Sequence, residues 1–210
     1  MPQQQRAIAT RRAALEGAAA VIERHGYDAA TINLMVRESG VTKGALYFHF
    51  SSKEAIAEAI IAEQGAWLDR RTDPGVPPLQ CVVDLSYAFV EALLTDPLMR
   101  ASIRMTVNRA GSPDSVVGGY RTWIDGVAAL LRQARDEGAL APGVDPEAAA
   151  YVVCASMTGL QLTSETLTGR ADLEERVESM WRLLVPGLVG TGDVRDVDVR
   201  PPSTRAVDPG

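Results

Sequence analysis

The run Thr31–Glu54, TINLMVRESGVTKGALYFHFSSKE, constrains this chain more than any other stretch. Ile32, Met35 and Val36 recur at i, i+3, i+4, the spacing of a helix with one buried face, and Thr31 can cap its first turn. Gly40 supplies the left-handed residue that ends that helix, and Val41 is the apolar turn residue that plugs the joint. Thr42 can then cap a second helix of about two turns. This short helix carries Lys43, Gly44, Tyr47 and His49. Ser51 followed by Glu54 reads as a capping box that starts a further helix. Two helices joined by a short turn containing glycine form a helix-turn-helix.

Such a motif places its second helix in the major groove of DNA, and the side chains here suit that role. Lys43, Gly44 and Ala45 occupy the first turn, where side chains or bare backbone can approach bases and phosphates, with Thr42 at the cap. Gly44 costs helix stability relative to alanine, which makes sense if a duplex must come close. Tyr47 and His49 carry polar tips fit for phosphates, and Lys53 stands at a helix start that already favours an anion. Phe48 and Phe50, alternating with them, are expected in the core. Arg11 and Arg12 are further candidates for the backbone of the duplex.

Charge distribution agrees. The whole chain carries a formal charge of -6 over 210 residues, which excludes a general nucleic-acid coat. Residues 1–53 hold seven Lys/Arg against four acids, a net of about +3, so the excess of acid lies in the rest. A mildly basic head on an acidic body docks one face on DNA and repels the others.

The run GVTKGALYFHFSSKE resembles the signature of the TetR family of transcriptional regulators. Within that family it is most similar to the γ-butyrolactone autoregulator receptors, whose heads read VTKGALYFHF-xSKE, as Val41 to Glu54 do. Trp123 in YRTWIDGV and the run CASMTGLQLTSETL, with Gly159 and Gln161 as a G-x-Q pair, resemble their seventh and eighth helices. The resemblance implies an all-α fold of about nine helices. Residues 1–52 would form a helix-turn-helix DNA-binding domain, and 53–190 a ligand-binding and dimerisation domain. It implies a repressor that binds a palindromic double-stranded operator as a homodimer and leaves it on meeting a small hydrophobic signal: a γ-butyrolactone, butenolide or furan. A drug-sensing efflux repressor and an architectural DNA-binding protein without ligand are the alternatives.

Nine helix starts are expected near residues 8, 31, 42, 52, 78, 97, 115, 146 and 171. Thr72–Pro78 breaks the chain, Asp96-Pro97 and Asp145-Pro146 each pair an N-cap with proline at the first helical position, and Asn108–Asp114 is a loop. Thr191 to Gly210 shows no apolar periodicity and is expected to be a disordered tail. For the ligand, the expected contacts are Gln64, Leu85, Phe89, Met105, Trp123, Ser156 and Thr158: an apolar lining with a few polar groups to orient a ring. For the dimer, the apolar stripe Val177, Met180, Trp181 and Leu184 on the last helix is expected to join the eighth helix in a four-helix bundle. No phosphate loop, HExxH, GxSxG or zinc-spaced Cys/His set is present, so no enzyme, metal or cofactor is expected. The longest nearly uncharged run, Ala148 to Leu162, is too short for a membrane span. Cys81 and Cys154, with no apolar leader ahead of them, are read as reduced thiols of a cytoplasmic protein.

Overall fold

The structure is a computed structural model that describes residues 3–108, 113–190 and 197–205. Among these residues there are nine α-helices and one short 3-10 turn, with no strand. The helices are α1 (Gln3–His25), α2 (Ile32–Ser39), α3 (Lys43–His49), α4 (Lys53–Asp69), α5 (Pro78–Thr95), α6 (Pro97–Val107), α7 (Pro113–Asp136), α8 (Pro146–Thr168) and α9 (Leu173–Val189). Most of the loop expected between α6 and α7 lies outside the described residues.

Local chemistry sets the boundaries as the sequence suggests. Thr31 Oγ1 accepts from Leu34 N, Gly40 ends α2 at φ 68°, and Thr42 Oγ1 accepts from Ala45 N. Asp96 and Asp145 each cap a helix that begins with proline. One cap differs: Ser52, not Ser51, accepts from Ala55 N, which puts the start of α4 one residue later than the capping box predicts.

The chain folds as two compact units. Residues 1–67 and 95–121 make the first, and 68–94 and 122–210 the second. These units do not follow the division at residue 52, because α4 and α6 gather around α1. The first unit's core holds Leu15, Ala18, Ala19 and Ile22 of α1, Met35, Leu46 and Phe50, Ile56 and Ile60 of α4, and Met105 of α6. Gly17 lets α1 approach the end of α2: a Cβ there would lie 2.4 Å from Ser39 Cβ and 2.6 Å from its backbone. Arg100 and Arg104 of α6 fasten the last turn of α1. Arg100 Nε donates to Glu23 Oε1 at 2.5 Å, and Arg104 Nη1 to the Glu23 carbonyl at 2.5 Å.

In the second unit α5 is long and apolar enough to cross a membrane by length and composition, yet two thirds of that window is buried, as in a core helix. Trp181 of α9 is fully buried and donates Nε1 to Ser86 Oγ on α5 at 2.7 Å. Val177 and Met180 are buried with it. These three therefore fill their own subunit's core and are not free for a partner, contrary to the dimer stripe expected from sequence. Asp172 closes the α8–α9 turn by accepting from Ser164 Oγ, Thr168 Oγ1 and Arg176 Nε, which holds its carboxyl well below the usual range.

Of the expected disordered tail, residues 191–210, only the middle part is described. Residues 197–205, its described part, are held to α5, with a 3-10 turn at Pro202–Thr204. Gln80 pairs with the backbone of Asp198 in both directions: Nε2 donates to its carbonyl at 3.0 Å, and Oε1 accepts its N–H at 2.8 Å. Residues 191–196 and 206–210 lie outside the described residues.

Gly17 generates a clear prediction. Alanine is the better helix former by about 1 kcal/mol, but its Cβ meets rigid backbone, and overpacking costs about 1–3 kcal/mol. Gly17→Ala should therefore lower the thermal midpoint by several degrees in calorimetry; a raised midpoint would mean that α1 and α2 do not approach this closely.

Candidate DNA-binding surface and ligand-binding residues

Helix α3 has seven residues, too few to be stable alone in water. Leu46 and Phe50 bury one side of it in the first unit's core, and Thr42 caps its start. At 100° per residue, that anchoring turns Lys43, Gly44, Tyr47 and Phe48 to solvent. All four are exposed, with Thr42 beside them, while Ala45 and His49 are half-buried. Phe48, expected in the core, is 80% exposed and meets the His49 ring edge-on at 5.1 Å. It thus joins the outward face as a residue the sequence reading missed. The i, i+4 step from Gly44 is the signal that could have found it.

Gly44 is informative for what surrounds it: a Cβ built there meets nothing within 4 Å. The protein's own packing does not need this glycine, and its bare backbone leaves room for an external surface to come close. Lys53 is tied inward as well as poised at the helix start. Its Nζ donates to the Asp28 carbonyl at 3.2 Å and lies 4.3 Å from the centre of the Tyr27 ring, leaving further ammonium protons for an anion. Arg11 stacks over Phe50 at 5.4 Å. Arg12, also exposed, is engaged by Glu16 at 2.7 Å and Glu63 at 3.5 Å.

The expected ligand residues divide between the units. In the second, Leu85 and Phe89 are buried on α5, and the half-buried Trp123 of α7 meets Phe89 edge-on with centroids 5.2 Å apart. Ser156 and Thr158 are both half-buried on α8, but they flank its buried stripe (Ala150, Val153, Met157, Gln161, Ser164) on opposite edges. They do not converge on one group, and Thr158 Oγ1 already donates to the Cys154 carbonyl at 2.9 Å. Gln161, quoted in the G-x-Q pair but not carried into the expected contacts, is buried, and its Oε1 has no hydrogen-bond partner among the described residues. Burial pushes the Cys154 thiol up to about 12, so it stays protonated and unreactive.

In the first unit Met105 is core, and Gln64 is 1% exposed. Gln64 Nε2 donates to Ser102 Oγ at 2.7 Å and Thr106 Oγ1 at 3.0 Å, a polar knot between α4 and α6.

Of the expected dimer stripe, Leu184 alone is not fully buried. Exposed apolar surface lies on α9 at Leu183 and, as a longer stripe, on α8, whose outer side presents Ala148, Tyr151, Val152, Ala155, Gly159 and Leu162. A shallow groove of about 290 Å³ beside it is lined by Val144, Val152, Val153, Leu184 and Leu188 among others.

Comparison with known proteins identifies the arrangement. Residues 14–60 match the family of bacterial regulatory proteins called the tetR family, and residues 77–190 match the tetracyclin repressor-like C-terminal domain. The chain belongs to the TetR family. It is 38% identical to the A-factor receptor protein of Streptomyces griseus over 199 residues, covering 94% of this chain and 70% of that one. A solved γ-butyrolactone receptor, described as an ArpA-like protein, superposes with a TM-score of 0.70 at 26% identity, covering 89% of this chain and 91% of that one. CprB from Streptomyces coelicolor, solved with its biological operator sequence, gives a TM-score of 0.72 at 27% identity, covering 91% and 94%. TetR-family relatives are DNA-binding regulators, so this member is a regulator and not an enzyme.

Gly44→Ala separates stability from recognition. With open space around the new methyl, the variant should gain about 0.5–1 kcal/mol in folding stability and lose operator affinity in a gel-shift titration. Equal or tighter DNA binding would remove the close approach at Gly44.

Proposed function

We propose that this protein is a transcriptional repressor of the bacterial cytoplasm that binds a palindromic operator as a homodimer. A small hydrophobic signal of the γ-butyrolactone, butenolide or furan class releases it. The observation that carries the DNA half is the face of Lys43, Gly44, Tyr47 and Phe48, held outward by Leu46 and Phe50. Lys43 and Tyr47 are assigned to base edges and phosphates, Gly44 to close approach, and Lys53 and His49 to the flanking backbone. The ligand half rests on likeness to proteins described as A-factor and γ-butyrolactone receptors, and on the aromatic pair Phe89–Trp123. An indole N–H beside an apolar wall suits a ring oxygen on an alkyl-bearing molecule. Gln161 adds a buried amide for a second polar atom.

The dimer follows from α8. A helix that buries one apolar stripe and exposes another is a helix to be covered on both, and the outer stripe from Ala148 to Leu162 is the face of α8 left uncovered within one chain. A second copy related by two-fold symmetry supplies the same stripe in return, and a palindromic operator requires two α3 helices about 34 Å apart, one turn of DNA, or a multiple of it. Release demands that the ligand favour the form that does not bind DNA, by about 2.7 kcal/mol for a hundredfold loss of affinity.

Two experiments test this reading. Trp123→Phe should keep the fold and operator binding but need about five- to 150-fold more alkyl γ-butyrolactone for release, the weight of one hydrogen bond with its packing. Release at the wild-type concentration would take Trp123 out of the ligand site. Val152→Glu, which puts a charge on the exposed stripe, should sediment as a folded monomer and bind the operator weakly, whereas Trp181→Glu should fail to fold because it buries a charge in the second unit's core. A Val152→Glu dimer of wild-type strength would move the interface away from α8.

A further inference from the structure

The segment 197–205 is fastened to a single side of α5. Three residues of that helix, Gln80, Asp84 and Tyr87, fall within about 60° of arc at its 100° per residue. Each takes a different part of the segment. Gln80 pairs with the Asp198 backbone in both directions, as a neighbouring strand would. Tyr87 Oη donates to the Val199 carbonyl at 2.5 Å, and burial pushes that phenol up, so it remains a donor. Asp84 Oδ1 takes Arg205 Nη1 at 2.7 Å. Arg205 also donates to the carbonyls of Asp198 and Arg200, at 3.1 and 2.9 Å, so one guanidinium both folds the segment and fastens it to α5. Pro201 is buried in the middle.

Phe89 projects from the other side of α5, about 140–180° round from those three residues, and there it meets Trp123. We propose that residues 198–205 are a strap built for α5, and that Gln80, Asp84, Tyr87 and Arg205 are positioning residues for the Phe89–Trp123 site. The strap holds one side of α5 while the opposite side carries the aromatic wall, so loosening it lets Phe89 drift from Trp123. The segment suits this role because it offers α5 chiefly its backbone and one of its two arginines, Arg205, which can be satisfied on a helix flank. The proposal deepens the ligand reading above and rests on it only for the final readout.

The test uses the full-length protein with Arg205→Ala, which removes the fastening, and Tyr87→Phe, which removes one bond and keeps the ring. In both, amides of Leu79–Leu94 should exchange with deuterium about tenfold faster or more, the weight of a hydrogen bond to a charged group in the stronger case. Exchange in α2 and α3 should stay at the wild-type rate. The Trp123 indole N–H signal, assigned by Trp123→Phe, should shift in the NMR spectrum of each variant. Operator affinity without ligand should hold, while the concentration of γ-dodecalactone, or of whichever alkyl γ-butyrolactone releases the wild type, should rise. Wild-type α5 exchange and an unmoved Trp123 signal in both variants would overturn the strap. So would faster exchange with an unchanged release concentration, since the segment would then be structural only. If no lactone releases even the wild type, the ligand reading falls, and the strap is decided by the exchange and the Trp123 signal alone. Should Arg205→Ala fail to fold, Tyr87→Phe decides on the same criteria.

Discussion

A seven-residue helix that must meet DNA at a fixed angle has to borrow its rigidity, and the anchoring of α3 through Leu46 and Phe50 is where the molecule's function begins. Those two side chains fix the rotation of α3 about its own axis, and rotation alone decides which residues face outward. A 100° error would exchange Tyr47 for Leu46 at the surface. The anchoring works because α1 supplies a floor of small and branched residues, Ala18, Ala19, Leu15 and Ile22, into which Leu46 and Phe50 pack. Gly17 brings α2 down on the same floor, so the turn between α2 and α3 starts from a defined height. The two glycines Gly17 and Gly44 both sit inside helices and both cost propensity. One is required by the protein's own backbone and the other by nothing inside the protein.

Most of this is readable in the chain because caps, turns and the 3.6-residue period are local. Thr31, Gly40, Thr42, Asp96-Pro97 and Asp145-Pro146 act where their chemistry says they should. The departures share a cause. Alternation with Tyr47 and His49 points Phe48 inward, but alternation is the period of a strand; in a helix Phe48 lies beside Gly44 and Tyr47 instead. The stripe Val177, Met180, Trp181 is legible as buried, but an apolar stripe does not say whether the cover comes from the same chain or another. Only the bond from Trp181 to Ser86, 95 positions away in sequence, decides it. Residues 197–205 look unstructured in sequence because hydropathy counts side chains, while that segment is held chiefly through its backbone.

The polar groups of the core follow a different logic from the apolar ones. Gln64 is satisfied by two hydroxyls on α6, so its burial costs little and ties α4 to α6. Helix α6 in turn ties to α1 through Arg100 and Arg104, both on Glu23. Lys53, near the start of α4, holds the α1–α2 loop through the Asp28 carbonyl. Each link is a hydrogen bond to a defined acceptor, and together they close a circuit through α4, α6, α1 and the α1–α2 loop that does not touch α3.

That circuit explains how the first unit can be stiff and switchable at once. Lys53 and Gln64 stand 11 residues apart on one helix, about 16 Å at 1.5 Å per residue, so a displacement of α4 along or about its axis reaches the α1–α2 loop and α6 together. Packed helices do not deform gradually; they exchange one set of contacts for another. A shift of α4 that breaks the bonds of Gln64 leaves a buried amide and the hydroxyls of Ser102 and Thr106 to find new partners. The penalty for leaving such groups unpaired, about 1–3 kcal/mol each, is of the same size as the differential affinity that a hundredfold release from DNA demands. A polar knot in an apolar core therefore fixes one packing of α4 against α6, and breaking it costs about as much as moving such an equilibrium requires.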